Sequence, residues 1–245
     1  NIPLVISSAC IPGSMAIIHA ARMIARGGYD NIIVSGGDIA TEFVVSGFQS
    51  FQAISPEPCK PFDRDRKGLS IGEGCGTILL TCDNTNTGEF GKIAYLGGSI
   101  SNDANHISGP SRTGEGQFIA IRNSMAEARI TPADIDYISA HGTATPFNDE
   151  MEAKAFARSG LLEAPVNSLK GYIGHTLGAA GVIEAAAMLA SMRNNFVYQS
   201  AGFENHGVEE PINIAGHGIN KDLNICLKTA SGFGGCNAAF IVGKE

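Results

Sequence analysis

The sequence contains no hydrophobic run that approaches the ~20 residues of a membrane-spanning helix. It has no excess of positive charge either: the formal net charge is −7, which excludes the basic footprint of a nucleic-acid or acidic-membrane binder. Its six cysteines form no CxxC pair and no dense disulfide framework, which indicates reduced thiols. We therefore expect a cytoplasmic protein with no nucleic-acid, membrane or metal partner.

The composition is that of an ordinary globular protein. Of 245 residues, 44% are hydrophobic and 17% are charged, enough for a sizeable core in one large or two small domains. The 31 glycines fall in clusters, which indicates tight turns and close backbone approaches. The chain starts at Asn1 without a methionine and leads straight into an apolar run, so we expect a further segment upstream.

Cys10 follows the first apolar run, which residues 3–6 form and which we predict to be a strand. A helical pattern starts directly after it, with apolar residues at spacings of three and four, and Gly27-Gly28 ends it. Cys10 is thus placed at a helix N-terminus, where the partial positive charge favours an anion and should ease ionisation of a thiol. A buried core cysteine is the alternative interpretation.

A strand at residues 31–38 follows this helix and predicts a βαβ unit with a parallel sheet. Residues 40–53 are predicted to be helical. The charged loop at 60–68 fits either a docking patch for an acidic partner or, as we favour, a loop held by its own Asp/Arg pairs. The glycines at 72–76 precede a strand instead of opening a helix, so we reject a dinucleotide-binding motif.

Short strands followed by polar residues recur later in the chain. One delivers His141, and another precedes Lys170 and His175 and opens into a small-residue helix at 177–192. Because ligands bind at the carboxyl ends of strands in α/β sheets, we expect these residues to meet Cys10. Further elements are predicted as a polar boundary at 83–91, a strand at 92–103, helices at 116–128 and 148–159, and a strand pair at 223–227 and 238–242. The remaining histidines are interpreted as surface or packing residues: His19, His106, His206 and His217.

Five motifs occur in an order that resembles the elongating β-ketoacyl-[acyl carrier protein] synthases. They are Ser8-Ala9-Cys10, Pro61-Phe62-Asp63 with Gly72-Glu73-Gly74, His141-Gly142-Thr143-Ala144-Thr145, Lys170-Gly171-Tyr172-Ile173-Gly174-His175 with Gly178-Ala179-Ala180-Gly181, and Gly232-Phe233-Gly234-Gly235. The resemblance implies an α/β, thiolase-like fold: an α-β-α-β-α sandwich of two similar halves, as a homodimer. Residues 1–90 would be the remainder of an incomplete first half, and 91–245 the second half.

The resemblance also implies a mechanism. Cys10 would take an acyl chain from an acyl carrier protein as a thioester. His141 and His175 would hold the malonyl thioester and stabilise its enolate after CO₂ is lost. Lys170 would organise charge around the histidines, with Glu184 as its ion-pair partner.

Supporting roles follow from the same resemblance. The main-chain N–H groups of Cys10 and Phe233 would form an oxyanion hole, and Phe233 resembles a gating phenylalanine. Thr143 and Thr145 would hydrogen-bond the 4′-phosphopantetheine arm, which enters on the carrier protein as substrate, so that no cofactor is expected.

Two alternatives to this function are a non-catalytic partner subunit and another thiolase-fold enzyme. In a non-catalytic, chain-length-factor-like partner subunit the nucleophile is normally replaced, whereas this sequence has Cys10 at that position. A degradative thiolase would need a second catalytic cysteine, and Cys236 has the wrong spacing; an initiating synthase would carry Asn in place of His175. Departures from the family pattern at Ile11-Pro12, at residues 69–71 and at 83–91 favour a specialised pathway, such as polyene synthesis, over housekeeping fatty acid synthesis.

Overall fold

The computed structural model describes residues 3–83 and 92–245. Its helices are α1 (Pro12–Ala25), α2 (Glu42–Ser50), α3 (Glu115–Ala128), α4 (Pro146–Arg158), α5 (Lys170–Ile173) and α6 (Ala180–Asn194). Its strands are β1 (Asn31–Asp38), β2 (Gly74–Thr81), β3 (Ile93–Asn102), β4 (Tyr137–Ser139), β5 (Val166–Asn167), β6 (Phe196–Val197), β7 (Ile219–Asn220), β8 (Ile225–Gly232) and β9 (Cys236–Lys244).

These elements are arranged in layers. The larger sheet has the order β3-β9-β8-β4-β5; β4 runs parallel to β5 and β8, and the other pairs are antiparallel. Helices α1 and α6 lie between this sheet and the β1–β2 ladder and contact both. Helix α3 packs on the opposite face of the larger sheet, beside α4. The described residues therefore form a β-α-β-α stack.

Helices α1 and α6 touch through their backbones. A Cβ added at Gly13 would lie 2.7 Å from the Val182 nitrogen, and one added at Gly181 would lie 2.3 Å from the Ser14 nitrogen. Side chains at either glycine would force the two helices apart. The tight packing predicted for the start of the small-residue helix is confirmed, and it holds Cys10, ahead of α1, close to α6.

The strand predicted at residues 3–6 is wrong. These residues form no strand, and Leu4 and Val5 are 65% and 84% exposed. A strand needs a neighbour for its main-chain hydrogen bonds, and no described strand lies beside this run. The parallel βαβ unit is also wrong, because the described partner of β1 is the antiparallel strand β2.

Most other predicted elements are confirmed, with shifted ends. Helix α4 starts at Pro146, two residues before the predicted Asn148, and β8 and β9 form the predicted antiparallel pair. The boundary predicted at 83–91 lies, beyond Asp83, outside the described residues.

Charged side chains of the loop at 60–68 form hydrogen bonds to main-chain groups of the protein. The carboxylate of Asp63 accepts hydrogen bonds from the main-chain N–H groups of Asp65, Glu204 and Asn205, each at 2.8 Å. The guanidinium of Arg66 donates to main-chain carbonyls, one of them that of Asp63, at 2.9 Å. The loop is therefore internally held, as we favoured, although most of its partners lie in other segments and not in its own Asp/Arg pairs.

Candidate active site

Cys10 lies in a tight turn just before α1. Ala9, the first residue of this turn, has a φ of 44°, and Ile11 is the residue that caps the helix. The Cys10 side chain is buried, and Gly232 packs against its main chain: a Cβ at Gly232 would lie 2.8 Å from the Cys10 nitrogen. The position predicted for Cys10, at or just before the first turn of a helix, is confirmed.

The ionisation expected for Cys10 is not what the structure shows. Burial raises the pKa of the thiol to about 11, although Lys170 and the main-chain N–H of Phe233 both lower it. The free energy lost when a thiolate is removed from water exceeds the stabilisation that Lys170 and the Phe233 N–H provide. Cys10 is therefore a neutral thiol at neutral pH, and the expectation of a readily ionised thiol was wrong.

The loop that carries His141 is held by two buried carboxylates of α4. The side chain of Glu152 accepts the N–H groups of His141 and Gly142 at 2.9 and 2.6 Å. That of Asp149 accepts the N–H groups of Thr143 and Ala144 at 3.0 and 3.2 Å. Neither carboxylate was predicted, although a pair of acids three residues apart on an otherwise apolar helix face is a recognisable signal.

Lys170, at the first position of α5, is buried behind His141. Its Nζ donates to the main-chain oxygen of His141 at 2.6 Å and lies 3.3 Å from the Nδ1 atom of the same residue. It also lies 2.5 Å from Glu184 Oε1, so the structure brings the expected ion pair together.

A second buried lysine, Lys228, lies on the other side of Glu184. Its Nζ is 2.8 Å from Glu184 Oε2. Burial opposes the ionisation of Glu184, but the two lysines outweigh it and keep the pKa of this carboxyl below its ordinary value. Lys228 was not predicted either, although a lysine within the apolar strand Ile225–Gly232 is a recognisable signal.

His175 lies edge-on to His141, with 5.1 Å between ring centroids. Its Nδ1 accepts the N–H of Leu177 at 3.2 Å, and its buried Nε2 has no hydrogen-bond partner among the described residues. Because Nδ1 of His175 accepts a hydrogen bond, the proton of this ring is assigned to Nε2. The proton of His141 is also assigned to Nε2, because Nδ1 of His141 faces the Lys170 ammonium. Burial and then Lys170 lower the pKa of both histidines well below the usual range, so both rings are neutral N–H donors.

One cavity of about 460 Å³ joins these groups. Its lining includes Cys10, His141, His175, Thr143, Thr145 and Phe233. The hydroxyls of the two threonines are 2.8 Å apart. The Phe233 ring packs against Phe48 and Phe51 at centroid distances of 5.3 and 5.2 Å. The residues singled out by sequence therefore share a single cavity wall, while Lys170 and Glu184 lie behind it.

The described residues include no group of three His, Cys, Asp or Glu side chains placed to hold a metal ion. No described helix is long and apolar enough to cross a membrane. That the protein needs no metal or cofactor stays a prediction.

Comparison with known proteins identifies the family. Residues 3–85 match the family model "Beta-ketoacyl synthase, N-terminal domain", and residues 93–204 match "Beta-ketoacyl synthase, C-terminal domain". The chain belongs to the β-ketoacyl synthase family. It is 35% identical over 250 residues to the 3-oxoacyl-[acyl-carrier-protein] synthase 2 of Rhizobium meliloti (strain 1021), with 96% of this chain and 59% of the relative covered.

Solved ketosynthase structures share the fold. The ketosynthase ApeO in complex with its chain length factor ApeC, from Xenorhabdus doucetiae, is 35% identical with a TM-score of 0.88, covering 98% of this chain and 59% of that one. A type II polyketide ketosynthase in complex with its acyl-carrier protein is 26% identical with a TM-score of 0.92, covering 98% and 62%. The chain thus has the thiolase-like fold of ketosynthases and spans about 60% of the length of these relatives.

Proposed function

We propose that this protein elongates acyl chains by decarboxylative Claisen condensation, with an acyl group on Cys10 and malonyl-acyl carrier protein as the second substrate. The observation that carries this proposal is that Cys10 shares a cavity with two neutral histidines that both present Nε2–H. A thiol beside two such donors fits a reaction that alternates between a thioester and an enolate.

In the first stage, the Cys10 sulfur attacks the thioester carbonyl of an acyl carrier protein. The main-chain N–H groups of Cys10 and Phe233 hold the oxyanion of the tetrahedral intermediate. The thiol proton passes to the departing pantetheine sulfur, and the acyl chain stays on Cys10. Because the thiol is neutral, this proton transfer accompanies the attack.

In the second stage, His141 and His175 donate hydrogen bonds to the malonyl thioester oxygen. The C–C bond to the carboxylate breaks and CO₂ leaves. The electron pair of that bond forms an enolate, and the two histidines stabilise the enolate oxygen. The enolate carbon attacks the Cys10 thioester and expels the thiolate, which takes a proton from water. One such donor typically contributes ~3–4 kcal/mol of transition-state stabilisation. Thr143 and Thr145 hydrogen-bond the pantetheine arm.

The partners belong to the same proposal. We propose an acyl carrier protein, loaded with acyl or malonyl groups, as the protein that delivers both substrates, and a homodimer in the cytoplasm as the working form. The relative from Rhizobium meliloti, which is named for acyl-carrier-protein substrates, supports the first point.

The proposal is tested by incubating the full chain with acyl-acyl carrier protein and locating any adduct by digestion and mass spectrometry, with Cys10→Ala as the control. An acyl group on the Cys10 peptide, absent from the variant, is expected. No adduct across several chain lengths, with Cys10 still open to alkylation, would favour a non-catalytic subunit like a chain length factor. An adduct on Cys236 or Cys75 would overturn the site assignment.

A further inference from the structure

Lys228 occupies a buried site lined by oxygen atoms. Its side chain has no exposure, and its Nζ lies 2.8 Å from Glu184 Oε2 and 3.2 Å from the main-chain oxygen of Ser139. It also donates to the main-chain oxygen of Thr229. An ammonium group loses several kcal/mol of hydration on burial unless such partners replace water. Three oxygens from three segments therefore make this a built site for one positive charge.

The site connects to the catalytic cavity through Glu184. One carboxylate oxygen of Glu184 contacts Lys170 and the other contacts Lys228, and Lys170 in turn contacts His141 at two atoms. With only Lys170 available, Glu184 would cancel most of the positive charge that faces His141. Because Lys228 contacts the second oxygen of Glu184, its positive charge offsets the negative charge of that carboxylate.

We propose that Lys228 is a positioning residue for the condensation: by holding the second oxygen of Glu184, it fixes Lys170 against His141 and leaves the Lys170 charge uncancelled at the two histidines. This inference rests on the proposed function. It assigns Lys228 no contact with substrate, and its effect passes through Glu184 and Lys170.

The histidines are the groups on which this charge acts. Burial is the largest cause of their lowered pKa values, and Lys170 and Lys228 lower both further. The titratable and charged groups around the two histidines are Cys10 ahead of α1, Asp38 at the end of β1, Glu152 on α4, Lys170 on α5, Glu184 on α6 and Lys228 on β8. By contrast, the charged side chains that act most strongly on the Cys10 thiol are those of Lys170, Asp38 and Glu184.

The test compares Lys228→Gln, which removes the charge but keeps a donor for Glu184, with Lys228→Met, which removes both. Lys221→Met is the matched control: Lys221 also faces a carboxylate, that of Asp136 at 3.8 Å, but its side chain is 39% exposed and does not line the cavity. Two readouts are used on the full chain: ring ¹⁵N chemical shifts of the histidines against pH, and CO₂ release from malonyl-acyl carrier protein at pH 8.

We expect both Lys228 variants to raise the pH at which His141 and His175 become charged by about one unit. We expect CO₂ release to slow about tenfold, less than the loss of a direct donor would cause, while acyl transfer to Cys10 changes little. Lys221→Met should match the unchanged protein in every readout. Unchanged histidine titrations in a folded Lys228→Gln variant would overturn the proposal and leave Lys228 a structural partner of Glu184.

The test of Lys228 can be separated from the test of the proposed function. The histidine titration needs no substrate, so it decides the role of Lys228 even if the unchanged protein neither takes an acyl group nor releases CO₂. If both variants fail to fold, the unchanged protein still tests the idea: either buried histidine becoming charged at a pH above ~6.5, the ordinary pKa of the side chain, would refute it.

Discussion

Lys170 contacts His141 at two atoms: its ammonium group donates to the main-chain oxygen of His141 at 2.6 Å and lies 3.3 Å from Nδ1. The first contact fixes the loop after β4, and the second fixes the tautomer of the ring. A histidine whose Nδ1 faces an ammonium group carries its proton on Nε2. The geometry thus makes Lys170 a determinant of what His141 can donate.

Replacing Lys170 with methionine should abolish most decarboxylation. Lys170→Met frees the His141 tautomer and leaves Glu184 with Lys228 alone, so we expect CO₂ release from malonyl-acyl carrier protein to fall at least 100-fold, as for a lost oxyanion donor. Lys154→Met, at a surface pair with Glu209, is the control. A fall below tenfold in a folded Lys170→Met protein would show that His141 does not need this lysine.

The raised pKa of Cys10 predicts how alkylation depends on pH. Only the thiolate reacts, and with a pKa of about 11 its fraction rises about tenfold for each pH unit through the neutral and mildly alkaline range. The logarithm of the iodoacetamide rate at Cys10, followed by mass spectrometry, should therefore rise with unit slope from pH 7 to about pH 9.5. A plateau near pH 8 would mean that Lys170 and the Phe233 N–H outweigh burial.

Local pattern predicted that Cys10, His141 and His175 would meet, and the family resemblance added Thr143, Thr145 and Phe233. His141 follows the short strand β4 and His175 follows the short helix α5, whereas Cys10 precedes α1 and follows no described strand. The pattern also predicted the ends of α1 and the tight packing of α6. These features depend on residues close together in sequence, which is why they can be read from it.

Features that depend on distant partners were not predictable. The run at residues 3–6 has strand-forming residues but no described strand beside it, so its propensity alone did not make it a strand. The pKa of Cys10 depends on how deeply α1 and α6 bury the thiol, which no local pattern records. The roles of Glu152 and Lys228 depend on a loop and a carboxylate 11 and 44 residues away.

The carboxylate of Glu152 should stabilise the whole fold through the His141 loop. Glu152→Gln retains one acceptor oxygen but places an NH₂ group against a buried N–H donor, so one hydrogen bond to a charged group is lost and a donor is left unpaired. We expect the free energy of unfolding to fall by about 2–3 kcal/mol. Urea denaturation measures this, with the exposed Glu163→Gln as the control.

A loss under about 0.5 kcal/mol in Glu152→Gln would mean that the loop relaxes to pair its N–H groups elsewhere, and the hydrogen bonds at 2.9 and 2.6 Å would then carry little of the stability.

The packing of Phe233 against Phe51 should limit access to Cys10. The rings meet edge to face at 5.2 Å, and Cys10 beside them is only 7% exposed. Such a ring pair is worth ~1 kcal/mol, so Phe51→Ala should raise the population in which Phe233 has moved, and with it the iodoacetamide rate at Cys10, about fivefold. Phe43→Ala is the matched control, because Phe43 lies on α2 but is 87% exposed and is not part of the cavity lining. Equal rates in the Phe51→Ala and Phe43→Ala proteins would show that reagent reaches Cys10 without displacing Phe233, and the gating role expected for that ring would then be lost.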